Sequence, residues 1–356
     1  MKTGLFDKHC ALGAKMVDFA GWEMPVKYQG IIQEHTAVRE HLGIFDVSHM
    51  GRVAIKGPDA EKLVDYLSTN KMTGKKDLSA TYTVWCTDSG GCVDDLIVYR
   101  QGPEHFFVIV NASNREKDLQ HLRTVGASYN VEIEDRYSDG ILAVQGPKAK
   151  AVAAKLFSEV NDIKMMRFAP VDYQGEEIIL SGTGYTGSGG IEIYAPMPAI
   201  VDLWDRFLEN GKDEGIQPIG LGARDTLRLE MGFALYGHEL SEEIAPIESV
   251  SSWTVKWDKG DFLGKEALEN LQKSSKKRFQ KGVVLTDRGI AREGYEVLQD
   301  DTPIGKVTSG TMSPSLNQAI AIILVERNLQ EGDNVQIQIR NKKCNGKVVK
   351  LPFYHK

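Results

Sequence analysis

The chain has 356 residues, more than one hydrophobic core usually organises, and its composition (42% hydrophobic, 8% aromatic, 26% charged) is typical of a soluble globular protein. A formal net charge of −6 gives no electrostatic reason to expect nucleic acid or an anionic membrane as a partner. No stretch approaches the ~20 apolar residues of a membrane span, and the N-terminus has no signal-peptide pattern. We therefore expect a cytoplasmic protein.

The four cysteines show no metal-binding pattern. They form no CxxC pair and no His/Cys cluster with metal-ligand spacing, and they are Cys10, Cys86, Cys92 and Cys344. We expect reduced thiols that pack as small hydrophobic side chains, and no metal site.

A pattern in the first half of the chain returns in the second. An apolar strand, a Gly-Pro pair and a helical pattern occur at 53–67 and again at 142–157. Each is followed by a strand, a glycine-rich turn and another strand, TYTVWCTDSGGCVDDLIVY and then EEIILSGTGYTGSGGIEIY. This predicts an internal duplication, with two related α+β units and mainly antiparallel sheets; chance similarity of two strand-GP-helix units is the alternative.

The loop at 182–187 has the letters of a dinucleotide-binding motif, with glycines at Gly182, Gly184 and Gly187. That motif needs a helix after its glycines because the phosphate binds at the helix N-terminus, whereas here a strand follows. A hairpin is the better interpretation, and no nucleotide or flavin is expected. Glu192 lies between two isoleucines in the following strand, so alternation directs it to the opposite face.

Two acids follow the Gly-Gly turn of the first half. Because adjacent strand residues face opposite sides, only one of Asp94 and Asp95 can point into a given cavity. The alternative is that both are solvated at a strand entrance. An acid after a glycine-rich turn in both halves, with a tyrosine nearby in each (Tyr82 and Tyr185), favours a site.

The stretch GLGARDTLRLEMG predicts a helix with Arg224 in its first turn, where the helix dipole disfavours a cation. Either Asp225 screens this arginine, or the arginine holds an anion together with the free N–H groups. These alternatives remain open at the level of sequence.

A boundary is predicted at KSSKKRFQK, 273–281, which is polar and basic without hydrophobic periodicity. Beyond it, short alternating runs separated by turn residues indicate a small antiparallel β-barrel; they are GVVLTD, YEVLQ, IGKVTSG, NVQIQIR and KVVKLPF. We therefore predict two domains, 1–275 and 276–356. The repeats in the first begin near 52 and 141, and its first lobe is discontinuous.

The chain contains, in this order, the segments KMVDFAGWEMPVKY, GIFDVSHMG, GGCVDDLIVY, VNASNREKD, VQGPKA, GTGYTGSGGIEIY, GLGARDTLRLE and TSGTMSPSL. With these segments in this order, the chain resembles over nearly its whole length the aminomethyltransferase family, the T proteins of the glycine cleavage system. The resemblance implies a three-lobed α+β protein, with a folate-binding catalytic portion of two related α+β units and a C-terminal antiparallel β-barrel.

The resemblance also implies a reaction. The family moves the methylene carbon of an aminomethyl group from the dihydrolipoyl arm of H protein to tetrahydrofolate, giving 5,10-methylenetetrahydrofolate and ammonia. Tetrahydrofolate would be the acceptor substrate and lipoylated H protein the partner, with the P and L proteins as indirect partners. No metal, flavin or nucleotide, no nucleic acid and no membrane is expected.

By motif position the resemblance implies roles for particular residues. The catalytic aspartate is the second acid of GGxxDD, Asp95, which would orient the folate amines and relay protons. Glu192 in GYTGxxGxE would accept hydrogen bonds from the amidine-like edge of the pterin, and Arg224 in GLGARD would bind ligand. Further positions lining the folate site are Asn111, Tyr82 and Tyr185.

The chain departs from the family pattern at four places. It has APIESVSSW at 245–253, where the family shows a stretch resembling SPIEAGLGW, and Phe233 where some members have tyrosine. Its loop reads GYTGSGG where GYTGEDG is frequent. His355 and Lys356 lie near positions where related chains place an arginine or tyrosine.

Other functions of the same superfamily compete with this one. A folate-dependent demethylase would differ in its pocket residues, and the folate module of sarcosine or dimethylglycine dehydrogenase normally follows a flavin-binding domain. A non-catalytic folate-binding protein of iron-sulfur assembly carries a cysteine motif, for which this chain has FALYGHELSEE. The sequence favours the aminomethyl transfer.

Overall fold

The computed structural model describes residues 1–355. Its helices are α1 (Phe6–Ala11), α2 (Ile31–Glu40), α3 (Ala60–Leu67), α4 (Arg115–Gly126), α5 (Ala149–Ala153), α6 (Met197–Asn210), α7 (Leu221–Glu230) and α8 (Lys265–Lys273), with short 3₁₀ turns at Ser158–Asn161, Pro246–Glu248 and Ser252–Thr254. No helix in this range is long and apolar enough to cross a membrane.

The strands form mainly antiparallel sheets, so the predicted mixed α+β class is confirmed. They are β1 (Lys15–Phe19), β2 (Trp22–Lys27), β3 (Gly43–Asp46), β4 (Gly51–Lys56), β5 (Ser79–Cys86), β6 (Cys92–Gly102), β7 (His105–Val110), β8 (Glu132–Asp135), β9 (Asp139–Gln145), β10 (Phe168–Tyr173), β11 (Glu176–Ser181), β12 (Gly190–Pro196), β13 (Gln217–Pro218), β14 (Phe279–Leu285), β15 (Glu296–Gln299), β16 (Thr302–Ser313), β17 (Gln318–Val325), β18 (Asn334–Ile339) and β19 (Lys342–Val349).

The chain folds into two compact units, each assembled from separate segments. The first unit comprises Met1–Asp65, Met72–Tyr82 and Leu96–Asp225. The second comprises Tyr66–Lys71, Thr83–Asp95 and the chain from Thr226 onward. The domains predicted from the linker, 1–275 with a discontinuous first lobe and 276–356, stay a prediction.

A six-stranded sheet in the first unit has the order β10-β11-β12-β9-β3-β13. Its pairs are antiparallel except the last, in which β13 runs parallel to β3. Helix α6 packs on this sheet through an apolar stripe whose buried members are Ile200, Leu203, Trp204 and Phe207. Burying each such side chain stabilises the fold by about 1.5–3 kcal/mol, so the stripe fixes this helix against the sheet.

A second, five-stranded sheet has the order β5-β6-β7-β4-β8. It matches five strands of the first sheet, β10-β11-β12-β9-β3, position by position. In each sheet the strand before the Gly-Pro pair, β4 or β9, lies next to the third strand that follows it, β7 or β12. This shared order is what an internal duplication predicts.

The same strand order corrects the pairing of the glycine-rich turns. The turn before Asp94 joins β5 to β6, so its counterpart is the turn at 174–175 between β10 and β11. The loop at 182–189 joins β11 to β12 and corresponds to the turn between β6 and β7. The sequence prediction that the two glycine-rich turns are equivalent is therefore wrong, because glycine content and flanking apolar strands do not encode strand order.

The two Gly-Pro pairs, in contrast, match closely. Gly57 and Gly146 both have φ of +129°, a conformation that side chains rarely adopt. A Cβ atom would lie 2.5 Å from the carbonyl oxygen of Asn130 at the first position and 2.6 Å from that of His41 at the second. Both positions require glycine for the same two reasons.

A closed barrel in the second unit has the order β14-β17-β16-β15-β18-β19. Five of its strands contain the alternating runs predicted from the sequence, and β17 was not among them. Helix α8 ends at Lys273 and β14 begins at Phe279, so the polar stretch at 273–281 spans the helix end, the connection and the first residues of the barrel. The barrel prediction is confirmed.

The four cysteines, which all lie within residues 1–355, form no disulfide bond. Three are buried, whereas Cys10 is exposed. Burial raises the pKa of Cys86 to about 12, so this thiol is protonated at neutral pH and poorly reactive.

Candidate functional site

Glu192 lies in β12, the strand that follows the glycine-rich loop. It pairs with Ser181 of β11 and Ala143 of β9. Ile191 and Ile193 on either side pack into the hydrophobic core. Because successive strand residues face opposite sides, Glu192 lies on the other face, as the alternation predicted. Its side chain is 8% exposed, so a charged group is held in a largely buried position.

Two hydroxyl groups hold one oxygen of this carboxylate. Thr183 Oγ1 donates to Glu192 Oε2, and Tyr194 OH donates to the same oxygen at 2.9 Å. Within residues 1–355 no hydrogen bond reaches the other oxygen, Oε1. Tyr99 OH is bonded to both hydroxyls and lies 3.0 Å from Thr183 Oγ1. The protein therefore fixes the carboxylate through one oxygen only.

Aromatic rings surround these hydroxyls. Tyr99 is stacked on Phe107 with ring centres 4.2 Å apart and planes 9° apart, and Tyr194 and Phe168 meet these rings edge-on. Burial, and next the charge of Glu192, raises the pKa of both tyrosines. Both phenols are therefore protonated at neutral pH and available as hydrogen-bond donors.

Two of the three motif glycines, Gly182 and Gly184, allow other parts of the protein to pack closely against the loop. A Cβ on Gly182 would lie 2.3 Å from the carbonyl oxygen of Lys164, and one on Gly184 would lie 2.0 Å from Gln145 Oε1. Of the three motif glycines, Gly187 alone has positive φ, +69°. The space beside Gly182 and Gly184 is thus taken by protein atoms, and the hairpin predicted in place of a phosphate loop is confirmed by the strand that follows.

Arg224 lies in the first turn of α7 and beside Tyr185. Its guanidinium carbon is 4.7 Å from the centre of the Tyr185 ring, which is cation–π geometry. Burial lowers the pKa of Arg224, and the charges of Tyr185 and Glu192 oppose this effect. The structure thus places both Tyr185 and Glu192 within electrostatic reach of Arg224.

The start of α7 already has an acidic neighbour from within the chain. Glu34 Oε2 accepts a hydrogen bond of 2.8 Å from the backbone N–H of Gly220, the residue before the helix. The other oxygen of Glu34 accepts from the N–H groups of Tyr28 and Gly30. A carboxylate of the protein therefore lies at this helix N-terminus, where the dipole favours negative charge.

The structure adds His49, which the sequence analysis did not single out although it lies in the phrase GIFDVSHMG. Its imidazole is buried and in edge contact with Phe19, and Nδ1 has no hydrogen-bond partner among residues 1–355. Burial, and next the positive charge of Arg224, lowers the pKa of His49 to about 4. A neutral imidazole thus lies within the electrostatic field of Arg224; a lone histidine in sequence gave no signal of this.

The remaining predicted residues lie in or next to the strands of the five-stranded sheet. Tyr82 lies in β5 and Asn111 directly follows β7, both in the first unit and both partly exposed. Asp95 lies in β6, in a segment of the second unit, and is partly exposed, whereas Asp94 beside it is fully buried. The alternative that both acids are solvated is therefore wrong for Asp94. A shared site for Tyr82, Asn111 and Asp95 stays a prediction.

The serine-rich departure at 245–253 forms two short 3₁₀ turns, Pro246–Glu248 and Ser252–Thr254. Between them Ser249 Oγ donates to the carbonyl oxygen of Pro246 at 3.1 Å and accepts from the N–H of Ser251 at 2.9 Å. The serines therefore satisfy backbone groups locally. Of the C-terminal residues noted above, His355 is exposed, and Lys356 lies outside the described residues.

The side chains of Glu192, Arg224 and Tyr185 suit a flat, polar ligand. Glu192 Oε1 is a charged hydrogen-bond acceptor, Arg224 is a cation, and Tyr185 offers an aromatic face. No group of three or more His, Cys, Asp or Glu side chains within residues 1–355 is arranged to hold a metal ion.

Comparison with known proteins adds the family. A sequence model described as the GCVT N-terminal domain matches residues 5–259, and one described as the glycine cleavage T-protein C-terminal barrel domain matches residues 278–355. The first alone covers more than half of the chain. The chain belongs to the aminomethyltransferase family.

Individual aminomethyltransferases match along the entire chain. The enzyme of Thermoanaerobacter pseudethanolicus is 45% identical over 360 residues, which covers 100% of this chain and 98% of that protein. That of Thermosipho melanesiensis is 43% identical over 355 residues, covering 99% and 96%. The crystal structure of the glycine cleavage system aminomethyltransferase T from Bartonella henselae superposes with a TM-score of 0.93 at 32% identity, covering 99% and 98%. The chain is thus an enzyme of the transferase class.

Proposed function

We propose that this chain transfers the methylene carbon from the aminomethyl-dihydrolipoyl arm of H protein to tetrahydrofolate, giving 5,10-methylenetetrahydrofolate and ammonia. Tetrahydrofolate is then the acceptor substrate and lipoylated H protein the direct partner. The P and L proteins of the glycine cleavage system are indirect partners, and a cytoplasmic location is part of the same proposal.

The proposal rests on the burial and the hydrogen bonding of Glu192. A buried carboxylate with one oxygen held by two hydroxyls and the other without a protein partner within residues 1–355 suits a ligand edge with two N–H groups. The pterin ring of tetrahydrofolate has such an amidine-like edge and a flat face. Arg224, which is within electrostatic reach of this acid, and the Tyr185 ring that it contacts supply a cation and an aromatic face for the same ligand.

The reaction requires positioned proton transfer more than strong acid–base chemistry. N5 of tetrahydrofolate attacks a carbon held between sulfur and nitrogen; ammonia leaves with a proton, and the carbon–sulfur bond then breaks as N10 closes the ring, which returns the dihydrolipoyl thiol. We assign Asp95 the role of orienting the folate amines and relaying protons, a contribution of about 10²–10⁴-fold in typical enzymes. Holding the two reactants together supplies the rest of the rate.

The direct test is to measure ammonia and methylenetetrahydrofolate with aminomethylated H protein as donor. We expect the two products in equal amounts, dependent on tetrahydrofolate, and none with H protein that lacks the lipoyl group. Dimethylglycine and sarcosine serve as alternative donors in parallel reactions.

Two outcomes would contradict the proposal. 5-Methyltetrahydrofolate formed from dimethylglycine or sarcosine at the faster rate, by transfer of the intact methyl group to N5, would make the chain a demethylase. Tight binding of tetrahydrofolate without transfer from any of the three donors would make it a binding protein.

A further inference from the structure

The hydroxyl groups behind Glu192 form a chain of hydrogen bonds that ends at its carboxylate. Ser181 Oγ lies 2.9 Å from Thr183 Oγ1, which in turn lies 3.0 Å from Tyr99 OH. Tyr99 OH is also bonded to Tyr194 OH, and both Thr183 and Tyr194 reach Glu192 Oε2. Every member is buried, with at most 8% of its surface exposed.

The count of protons gives the network a direction. A hydroxyl has one proton, and an ionised carboxylate can only accept. Thr183 and Tyr194 must therefore each give their proton to Glu192 Oε2, and the proton of Tyr99 goes to one of their two oxygens. The network thus delivers two donors to one carboxylate oxygen and none to the other.

The sequence distances show that the arrangement depends on the fold. Thr183 is in the loop before β12 and Tyr194 is in β12 two residues after Glu192, on the same face. Tyr99 comes from β6, 95 residues from Tyr194 along the chain, and its ring is stacked on Phe107. Rings locked by packing hold the hydroxyls in place, which is how a supporting layer fixes a binding group.

We propose that Thr183 and Tyr194 are positioning residues of the tetrahydrofolate site, which hold Glu192 in the orientation that presents Oε1 to the ligand's N–H edge. This inference rests on the function proposed above and assigns work to two residues that touch the acid and not the substrate. Tyr99 supports both of them from behind.

A consequence is that both residues act on binding through Glu192. Thr183→Val and Tyr194→Phe each remove one donor with little change in shape. A hydrogen bond to a charged group is typically worth about tenfold or more in affinity, so we expect the Kd for tetrahydrofolate to rise about tenfold in each variant. The KM for tetrahydrofolate rises equally, while kcat for transfer from aminomethylated H protein changes less than about twofold, because uniform binding is lost.

The experiment is a set of double-mutant cycles read by titration calorimetry with tetrahydrofolate under reducing conditions. Thr183→Val and Tyr194→Phe are each made in the wild-type chain and in Glu192→Ala. If the two residues act through Glu192, each substitution raises the Kd about tenfold in the wild-type chain and leaves the Kd nearly unchanged in the Glu192→Ala chain. Thr183→Ser keeps the hydroxyl and should restore the wild-type Kd.

Tyr173→Phe is the matched control. Its hydroxyl also donates to a carboxylate, that of Asp202, elsewhere in the same unit. Loss of this bond should leave the Kd for tetrahydrofolate unchanged. Thermal unfolding of every variant checks that the fold is intact.

The outcomes separate the positioning role from the proposed function. A tenfold rise in Kd that persists when Thr183→Val or Tyr194→Phe is made in the Glu192→Ala chain would overturn the positioning role. Wild-type affinity in both single variants would overturn it as well. In either case the proposed transfer by the wild-type chain would be unaffected. An unchanged Kd in Glu192→Ala itself would remove the acid from the ligand site and the positioning role with it. Failure of the wild-type chain to transfer from aminomethylated H protein would instead overturn the function, whatever the cycles give.

Discussion

At the scale of single residues, the two oxygens of Glu192 have different environments. The alternation of β12 was enough to direct the side chain away from the core, because strand geometry fixes the face of every second residue. The hydroxyls that hold Oε2 could not be predicted in the same way. Tyr99 belongs to a different sheet, and no local pattern relates its hydroxyl to an acid in β12.

Asp95 is the residue at which we expect binding and turnover to separate. Asp95→Asn should leave the Kd for tetrahydrofolate within about threefold of wild type and lower kcat by about a hundredfold or more, because the amide keeps the shape but cannot take up a proton. Calorimetry gives the first quantity and ammonia release from aminomethylated H protein the second.

The control for this substitution is Asp88→Asn, which changes an exposed aspartate in the turn before the same strand. It should behave as wild type in both measurements. A wild-type rate in Asp95→Asn would show that the proton relay does not depend on this acid.

At the scale of elements, the strand-Gly-Pro-helix unit is the part of the fold that the sequence encodes most directly. Both copies have the same glycine conformation, and in both a strand leads into a helix. The matching of the later turns failed because strand order depends on which strands pair. Residues far apart in the chain decide that pairing, and the sequence of a turn does not specify it.

Gly146 should tolerate no side chain. Gly146→Ala combines a strained φ with a Cβ 2.6 Å from the carbonyl oxygen of His41 and 2.7 Å from the Cα of Leu42, both backbone atoms that cannot turn away. Strain and overpacking each cost about 1–3 kcal/mol, so we expect the free energy of unfolding to fall by about 3 kcal/mol or more. Urea unfolding followed by circular dichroism measures it.

Gly175→Ala provides the comparison, because Gly175 has φ of +86° with open space around its Cβ position. Only the strain is then present, and a loss of about 1 kcal/mol is expected. Equal losses at the two glycines would mean that the close approach of the backbone at Gly146 contributes nothing.

At the scale of the whole molecule, the burial of His49 makes the stability of the fold depend on pH. Burial and the charges of Arg224 and Arg52 lower the pKa of His49, against the opposing charge of Asp46, to about 4, below its ordinary value of 6.5. The unfolded chain therefore binds a proton at higher pH than the folded chain does. Stability is unaffected by this group above pH 6.5 and falls as the pH drops toward 4.

We expect the neutral variant His49→Gln to lack this loss. Between pH 7 and pH 4 the wild-type chain should lose about 3 kcal/mol more of its unfolding free energy than the variant does. Urea unfolding at several pH values in this range gives the difference, and His355→Gln, at an exposed position, serves as the control. Parallel pH profiles for wild type and His49→Gln would show that His49 is not held neutral by the fold.

The amino-acid sequence was sufficient to predict the fold class, the barrel, the repeated strand-Gly-Pro-helix unit, the hairpin in place of a phosphate loop and the face on which Glu192 lies. These features depend on periodicity, turn residues and glycine chemistry within short segments, so they can be predicted from the local sequence. The motifs also sufficed for the family resemblance, which the matches along the whole chain confirmed.

The folded structure was needed to establish the strand order, the segments that make up each unit, the pairing of Arg224 with Tyr185 and the low pKa of His49. It also decided that Glu192 is held through one oxygen. Each of these depends on side chains and strands brought together from distant parts of the chain. Burial and charge act through space, and their strength is set by distances that appear only when the chain is folded.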